Sequence, residues 1–184
     1  MISAHGLRRP MSEEIVLGGG CFWCIEGALA GLRGVSEVIP GYSGGHVDDP
    51  SYEQVCAKST GHAEVVRVTF DPAVIPRRIL LEVFFTAHDP TQLNRQGNDI
   101  GPQYRSCVFV ASQQQRADVE HIIGYLQQNF VDDIVTEVAD LERFWPAEDY
   151  HHDYFANNPQ NPYCQAVVSP KLAKVRAKHA HLYE

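Results

Sequence analysis

Runs of hydrophobic and polar residues along the chain predict a series of alternating strands and helices. Strands show either alternation or a short apolar run that ends at turn residues. The predicted strands are Glu13 to Leu17, Val35 to Tyr42, Ala63 to Phe70, Arg105 to Ala111 and Ile134 to Ala139. The predicted helices run from Cys21 to about Ala30, from Pro76 towards His88, from the Ser112 cap through Asn129, and onward from Ser169-Pro170.

Strands and helices interleave in this pattern, which predicts an α+β fold, a two-layer α/β sandwich. The chain has 184 residues, of which 44% are hydrophobic, so it can bury one sizeable core. No internal repeat or interdomain linker divides it. We expect one domain over residues 13–184, preceded by a poorly ordered N-terminal extension over residues 1–12.

Composition and charge exclude several classes of partner. The net charge is −8, and no lysine- or arginine-rich run offers a surface for phosphates, so nucleic acid is excluded. No apolar stretch reaches the roughly 18 to 20 residues that span a membrane, and the N-terminus lacks the apolar region of a signal peptide. We therefore expect a cytoplasmic protein, in which the five cysteines are catalytic, metal-binding or buried instead of forming a disulfide framework.

The segment Gly18-Gly-Gly-Cys-Phe-Trp-Cys24 places a thiol between a glycine turn and a predicted helix. Backbone N–H groups and the helix dipole at that position favour the thiolate of Cys21, which predicts a reactive nucleophile. The spacing of Cys21 and Cys24 is typical of thioredoxin-like redox sites. The simpler alternative is that Cys21 packs as a small hydrophobic residue and that Phe22 and Trp23 are core aromatics.

A carboxyl group occupies an apolar position in the third predicted strand. The two-residue period of a strand places Glu64 on the same face as Val66 and Val68. Burial there would raise its pKa and keep a proton available near neutral pH, as a general acid requires. If strand pairing inverts the two faces, Glu64 is instead solvated beside Arg67.

Eight short motifs resemble one known family. They lie in order between Ile15 and Leu172, and together they are far more specific than any one alone. The motifs are Gly20 to Trp23, Gly41 to Gly45, Pro50 to Cys56, Thr60 to Val66, His88 to Thr91, Arg95 to Asp99, Gln103 to Ser106 and Phe144 to His151. This set resembles the peptide methionine sulfoxide reductase A family, whose members reverse methionine oxidation.

The resemblance implies a ferredoxin-like plait with extended loops and a C-terminal segment, no metal and no organic cofactor. It implies reduction of the S epimer of methionine sulfoxide, with oxidised proteins or free methionine sulfoxide as substrate. Thioredoxin or a similar external dithiol would be the reductant. We expect a monomer.

The resemblance also implies roles for individual residues. Cys21 attacks the sulfoxide sulfur while Glu64 protonates the oxygen. Tyr52 and Tyr104 hold that oxygen through their hydroxyls, and Asp99 assists through a water molecule. The two residues that cradle the S-methyl group are Phe22 and Trp23.

Attack on the sulfoxide leaves Cys21 as a sulfenic acid, which a second thiol converts into a disulfide. Cys24 is close because it lies three residues further along the helix. Cys164 lies in a turn-rich segment that could swing over the site, and the resemblance favours a C-terminal cysteine. We expect Cys164 to resolve the sulfenic acid, with Cys24 as the alternative. Two further cysteines, Cys56 and Cys107, are expected to be packed or spare thiols.

Two other classes of function stay open from the residues alone. One is a thioredoxin-like thiol–disulfide oxidoreductase that works through Cys21 and Cys24. The other is a non-enzymatic redox-sensing or binding module. Glu64 distinguishes the reductase from both, because removal of an oxygen atom requires an acid and disulfide exchange does not.

Overall fold

The computed structural model describes residues 12–184, so the N-terminal extension expected over residues 1–12 lies outside the described residues except for Ser12. The strands are β1 (Glu13–Gly18), β2 (Val35–Ser43), β3 (Ala63–Phe70), β4 (Arg95–Gln96), β5 (Asp99–Ile100), β6 (Cys107–Val110), β7 (Glu137–Asp140) and β8 (Phe144–Pro146). The helices are α1 (Phe22–Leu29), α2 (Tyr52–Cys56), α3 (Arg77–Thr86), α4 (Gln113–Leu126), α5 (Tyr154–Asn157) and α6 (Ser169–Lys178).

Six strands form one mixed sheet in the order β7-β6-β1-β3-β2-β8. β6 and β7 are parallel, and the other neighbouring pairs are antiparallel. A separate two-stranded ribbon pairs β4 with β5. The predicted α+β class is confirmed. The four central strands alternate with α1 and α3 in the β-α-β-β-α-β chain order of ferredoxin-like domains. Because β7 and β8 widen the sheet at both edges, its description as a ferredoxin-like plait stays a prediction.

The two faces of the sheet bury different sets of side chains. Leu17 on β1 pairs with Val66 on β3, and both belong to the larger core together with Val68. Their neighbours Val16 and Val65 belong to a smaller cluster. This separation follows the two-residue period of the strands, so the face predicted for Val66 and Val68 is the one that helices cover.

Helix α1 is buried on nearly every side because it contacts β2, β3, α3 and α6. This enclosure fixes the strand-to-helix turn before α1 in position relative to the sheet. Within residues 12–184, no helix is long and apolar enough to cross a membrane.

The predicted strands and helices are found with bounds that differ by a few residues. Several features were not predicted: α2, α5, the ribbon of β4 and β5, the edge strand β8 and a π-helical turn, Cys164–Val168, that precedes α6. The sequence predicts a turn-rich segment that could swing at this point. In the structure Cys164 is instead buried in that turn, because Val168 and Leu172 pack into the main core and fix the segment against it.

Candidate active site

The glycine turn at residues 18–20 places Cys21 at the start of α1. A Cβ atom at Gly19 would lie only 2.6 Å from the ring of His88, so a side chain there would clash. Gly20 has a φ of +84°, which glycine adopts without strain. Cys21 is the N-cap residue of α1 and is only 7% exposed. The turn therefore needs its glycines both for close packing and for backbone conformation.

Glu64 reaches from β3 to the N-terminus of α1. Its Oε1 atom accepts a hydrogen bond of 3.1 Å from the backbone N–H of Phe22. The residue is 1% exposed, and its Oε2 atom has no hydrogen-bond partner among the described residues. Burial raises the pKa of Glu64 to about 8. Glu64 therefore lies on the buried face, as the strand pattern predicts, and carries a proton at neutral pH.

The thiols of Cys21 and Cys24 are both free and lie next to each other, so each changes the pKa of the other. Burial raises the pKa of Cys21, and the hydrogen bond with Cys24 and the charge of Glu64 raise it further. The hydrogen bond with Cys21 lowers the pKa of Cys24, and the positive charge of Lys171 acts in the same direction. The expected lowering of the Cys21 pKa is therefore wrong for this closed arrangement, because Glu64 takes the first N–H of α1 and burial outweighs the helix terminus.

Two phenols lie close to Glu64. Tyr52 begins α2, and its ring stacks on Phe22 with centroids 6.4 Å apart. Tyr104 ends a short 3₁₀ turn, and its carbonyl accepts a hydrogen bond of 3.1 Å from the N–H of Gly20. Burial raises the pKa of both phenols, and the charge of Glu64 is the next cause in each case. Both hydroxyls therefore stay protonated and can donate hydrogen bonds.

Asp99 lies on β5 and is engaged by the C-terminal segment. The hydroxyl of Tyr163 donates a hydrogen bond of 2.5 Å to its Oδ2 atom. The negative charge of Asp99 contributes to the raised pKa of Glu64, after burial, and to that of Tyr104. The ribbon of β4 and β5 thus brings Asp99 to the same site.

Trp23 lies within a group of aromatic rings. Its ring stacks on Tyr154, with centroids 3.8 Å apart and planes at 7°. Its Nε1–H donates a hydrogen bond of 3.1 Å to Nδ1 of His151. Phe22 is also 5.0 Å from the His151 ring. Phe22 and Trp23 therefore share one aromatic wall, which suits an apolar methyl group.

Sequence reasoning missed several residues of this site, among them Tyr163, which contacts Asp99 and Trp23. Glu148 accepts hydrogen bonds of 3.0 Å from the Tyr42 hydroxyl and from the N–H of Tyr52, so it fixes the position of Tyr52. His151 is fully buried and fixes Trp23. Glu26 is buried on α1 and accepts a hydrogen bond of 3.0 Å from the N–H of Asp153, the residue before Tyr154, on which Trp23 stacks. Glu148 and His151 lie in the family motif from Phe144 to His151, which could have indicated a role in the site. Their contacts could not be predicted, because their partners are distant in sequence.

All five cysteines are free. Cys164 is fully buried, and its burial, followed by the charge of Cys24, raises its pKa. Cys107 lies on β6 opposite Gly18, and burial raises its pKa to about 12. Cys56 ends α2 and is partly exposed. The structure thus brings Cys24 next to Cys21 and keeps Cys164 packed nearby.

These groups can perform one kind of chemistry together. A thiol that can attack a sulfur atom lies beside a buried acid, two neutral phenols and an aromatic wall. The acid can protonate an oxygen atom, the phenols can hold it, and the wall can take an apolar group.

Sequence comparison identifies close relatives over nearly the whole chain. The profile of the family described as "Peptide methionine sulfoxide reductase" matches residues 13–183. The peptide methionine sulfoxide reductase MsrA of Chromobacterium violaceum is 52% identical over 174 residues, which are 94% of this chain and 99% of the relative. The protein of the same name from Haloquadratum walsbyi is 54% identical over 166 residues, covering 90% of this chain and 95% of the relative.

Comparison with solved structures identifies members of the same family. Reduced Mxr1 from Saccharomyces cerevisiae is 34% identical, with a TM-score of 0.79, and the match covers 83% of this chain and 89% of Mxr1. Methionine sulfoxide reductase A of Corynebacterium diphtheriae is 35% identical, with a TM-score of 0.74 and coverage of 83% and 77%. A structure of Mxr1 in complex with Trx2 shares the fold at 23% identity, with a TM-score of 0.58 and coverage of 82% and 91%. The chain belongs to the peptide methionine sulfoxide reductase family.

Proposed function

We propose that this enzyme reduces the S epimer of methionine sulfoxide, free or in oxidised proteins, and so repairs oxidised proteins in the cytoplasm. One observation carries the proposal: Glu64 keeps its proton at neutral pH and is hydrogen-bonded to the residue that follows Cys21. Removal of oxygen from a sulfoxide needs an acid beside a thiol. Thiol–disulfide exchange through Cys21 and Cys24 would have no use for it.

In the first step the thiolate of Cys21 attacks the sulfoxide sulfur while Glu64 gives its proton to the oxygen. The S–O bond then breaks, and the hydroxyl passes to the Cys21 sulfur. Two electrons move from the cysteine sulfur to the methionine sulfur, and the products are methionine, a Cys21 sulfenic acid and a Glu64 carboxylate. Burial favours the thiol form of Cys21, so its proton must first leave to solvent to form the attacking thiolate.

Substrate binding uses the phenols and the aromatic wall. Tyr52 and Tyr104 donate hydrogen bonds to the sulfoxide oxygen, and Asp99 assists through a water molecule. The S-methyl group packs on Phe22 and Trp23. The raised pKa of each phenol, caused first by burial, supports this role because a neutral hydroxyl donates a hydrogen bond without adding charge.

Resolution of the sulfenic acid is assigned to Cys164, with Cys24 as the alternative. The Cys164 thiol attacks the Cys21 sulfur, water leaves, and a disulfide forms. Burial of Cys164 in the reduced state requires the turn at residues 164–168 to move. Cys24 needs no such movement, so the two candidates differ in a way that experiment can separate.

Thioredoxin is the proposed reductant. A dithiol attacks the enzyme disulfide, leaves oxidised, and restores two thiols. That Mxr1 forms a complex with Trx2 supports this step. The cycle needs no metal and no organic cofactor, and the proposed enzyme acts as a monomer.

The test uses reduced protein and no reductant. We expect about one methionine per chain from the S-sulfoxide, with the loss of two thiols, and none from the R-sulfoxide. Cys21→Ser should give no methionine, whereas Cys107→Ala should behave as the parent because that thiol lies on the opposite face of the sheet. Loss of thiols without methionine would favour disulfide exchange instead.

A further inference from the structure

Tyr163 lies among the groups assigned to substrate binding. Its hydroxyl donates to Asp99, and its ring is nearly perpendicular to Trp23, with centroids 5.9 Å apart. The same hydroxyl lies near enough to Cys24 to contribute to the lowered pKa of that thiol. One phenol thus touches the carboxylate that is assigned to the sulfoxide oxygen and the indole that is assigned to its methyl group.

Neighbouring rings cover part of the Trp23 indole, which is partly exposed in this arrangement. Tyr154 stacks on one face of the indole at 3.8 Å, so a methyl group must use the remaining surface, where Tyr163 already lies. Cys21 is only 7% exposed. Access to the Cys21 thiol is therefore narrow in this arrangement, and Tyr163 is one of the side chains close to it.

Asn161 connects Tyr163 to the cysteine that follows it. Its Oδ1 atom accepts hydrogen bonds from the N–H of Tyr163 at 2.9 Å and from the N–H of Cys164 at 3.2 Å. Its Nδ2–H donates to the Tyr154 hydroxyl at 3.1 Å. Tyr163 and Cys164 therefore share one anchor and move together when it is released.

The turn that begins at Cys164 offers a place for this movement. Residues 164–168 form a π-helical turn, a rare conformation that occurs mostly as single turns and is frequent at functional sites. The first residues of the turn can rewind while Val168 at its end and Leu172 on α6 stay packed in the core. A change at the start of the turn would expose Cys164 without unfolding the helix.

We propose that Tyr163 occupies the sulfoxide position in the reduced enzyme, and that substrate binding displaces it and at the same time releases Cys164 from its buried site. This inference rests on the proposed function. Binding of the substrate thereby prepares the thiol that the sulfenic acid will need. In the absence of substrate, the same side chain shields Cys21 from other reagents.

The first experiment measures the exposure of Cys164 directly. Cys21→Ser cannot reduce the sulfoxide, so the bound state persists. A short pulse of N-ethylmaleimide is applied with and without saturating methionine S-sulfoxide, and each cysteine is quantified by peptide mass spectrometry. We expect labelling of Cys164 to rise at least about fivefold, because labelling follows the population of the open form. Cys107 serves as an internal control and should not change, and the R-sulfoxide should have no effect.

Unchanged labelling of Cys164 with the S-sulfoxide would overturn the proposal. The methionine yield of the parent, measured alongside, separates two failures. Normal methionine formation with unchanged labelling rejects displacement by Tyr163 alone, whereas absence of methionine rejects the reductase assignment as well.

The second experiment asks whether Tyr163 competes with substrate. Tyr163→Phe removes the hydrogen bond to Asp99, and Tyr163→Ala also removes the ring. We expect alkylation of Cys21 by iodoacetamide to accelerate and the KM for methionine S-sulfoxide to fall several-fold, while the saturated single-turnover rate changes little. Tyr125→Phe, at an exposed position on α4, is the matched control. A KM that rises in both Tyr163 variants would show that the phenol assists binding and would overturn the proposal.

Discussion

The Glu64 carboxyl accepts a hydrogen bond of 3.1 Å from the backbone N–H of Phe22, and this bond joins β3 to the first turn of α1. Cys21 is the residue before Phe22 and caps the same helix. The acid and the thiol are therefore held relative to each other through one backbone contact. The second carboxyl oxygen has no partner within residues 12–184, so it is free to carry the proton.

Replacement of Glu64 by glutamine should slow the first step. We expect Glu64→Gln to slow methionine release in a single turnover by roughly 10² to 10⁴, the usual contribution of a positioned general acid. The amide oxygen can still accept the Phe22 N–H, so the fold should be preserved. Glu120→Gln, an exposed carboxyl on α4, is the control. A Glu64→Gln rate within about threefold of the parent would exclude a general acid at this position.

The pH dependence of the first step should report the same proton. Burial raises the pKa of Glu64 to about 8, so the acid form is present below that pH and is lost above it. Deprotonation of Cys21 has the opposite effect on the rate, because the fraction of Cys21 that is a reactive thiolate grows with pH. The ratio of the parent rate to the Glu64→Gln rate cancels the part of the Cys21 effect that both proteins share. The Glu64 charge, which raises the pKa of Cys21 only in the parent, acts in the same direction as loss of the acid, so we expect this ratio to fall as pH rises through about 8. A ratio that is constant with pH, measured by rapid quenching, would contradict the assignment.

The α+β class and the facing of Glu64 could be predicted because both depend on local periodicity. Alternation in β3 placed Glu64 with Val66 and Val68, and burial of those valines leaves only one facing. The hydrogen bond to Phe22 could not be predicted, because it depends on how β1, β3 and α1 meet in space. For the same reason the strand pattern could not reveal that Glu64 takes the N–H that was expected to stabilise a Cys21 thiolate.

The sequence patterns failed at α2 and at Cys164 for different physical reasons. The helix α2 was missed although Ser51 and Gln54 form a capping box, a signal that is legible in the sequence. The behaviour of Cys164 could not be predicted in the same way. Asparagine and proline before it indicate a loop, but packing of Val168 in the core turns the following residues into a buried helical turn. Local turn propensity gave no information about that long-range contact.

Glu26 should stabilise the segment that supports Trp23. Its buried carboxylate accepts a hydrogen bond of 3.0 Å from the N–H of Asp153, directly before the stacking residue Tyr154. Glu26→Ala leaves this N–H without its partner, so we expect a loss of about 1–3 kcal/mol in the free energy of unfolding. Urea denaturation at constant pH measures it, with the exposed Glu120→Ala as control. Equal losses in the two variants would refute the role.

The pH dependence of stability gives an independent check on Glu26. Burial raises its pKa to about 7, so the folded state holds this proton more tightly than the unfolded chain does. The contribution of Glu26 to stability is therefore greatest below its unfolded pKa and is lost as pH rises through about 7. Glu26→Gln keeps an acceptor for Asp153 and lacks a titratable proton, so its stability should decline less over the same range.

The identity of the resolving thiol distinguishes two movements of the chain. Cys24 already lies next to Cys21, whereas Cys164 is fully buried and must be released. We expect Cys164→Ser to release about one methionine per chain in a single turnover, because attack by Cys21 needs no second thiol, and to lose thioredoxin-supported cycling. Cys24→Ser should keep that cycling.

Peptide mapping of the oxidised parent should identify a bridge between Cys21 and Cys164. A bridge between Cys21 and Cys24, with undiminished cycling in Cys164→Ser, would assign the resolving role to Cys24.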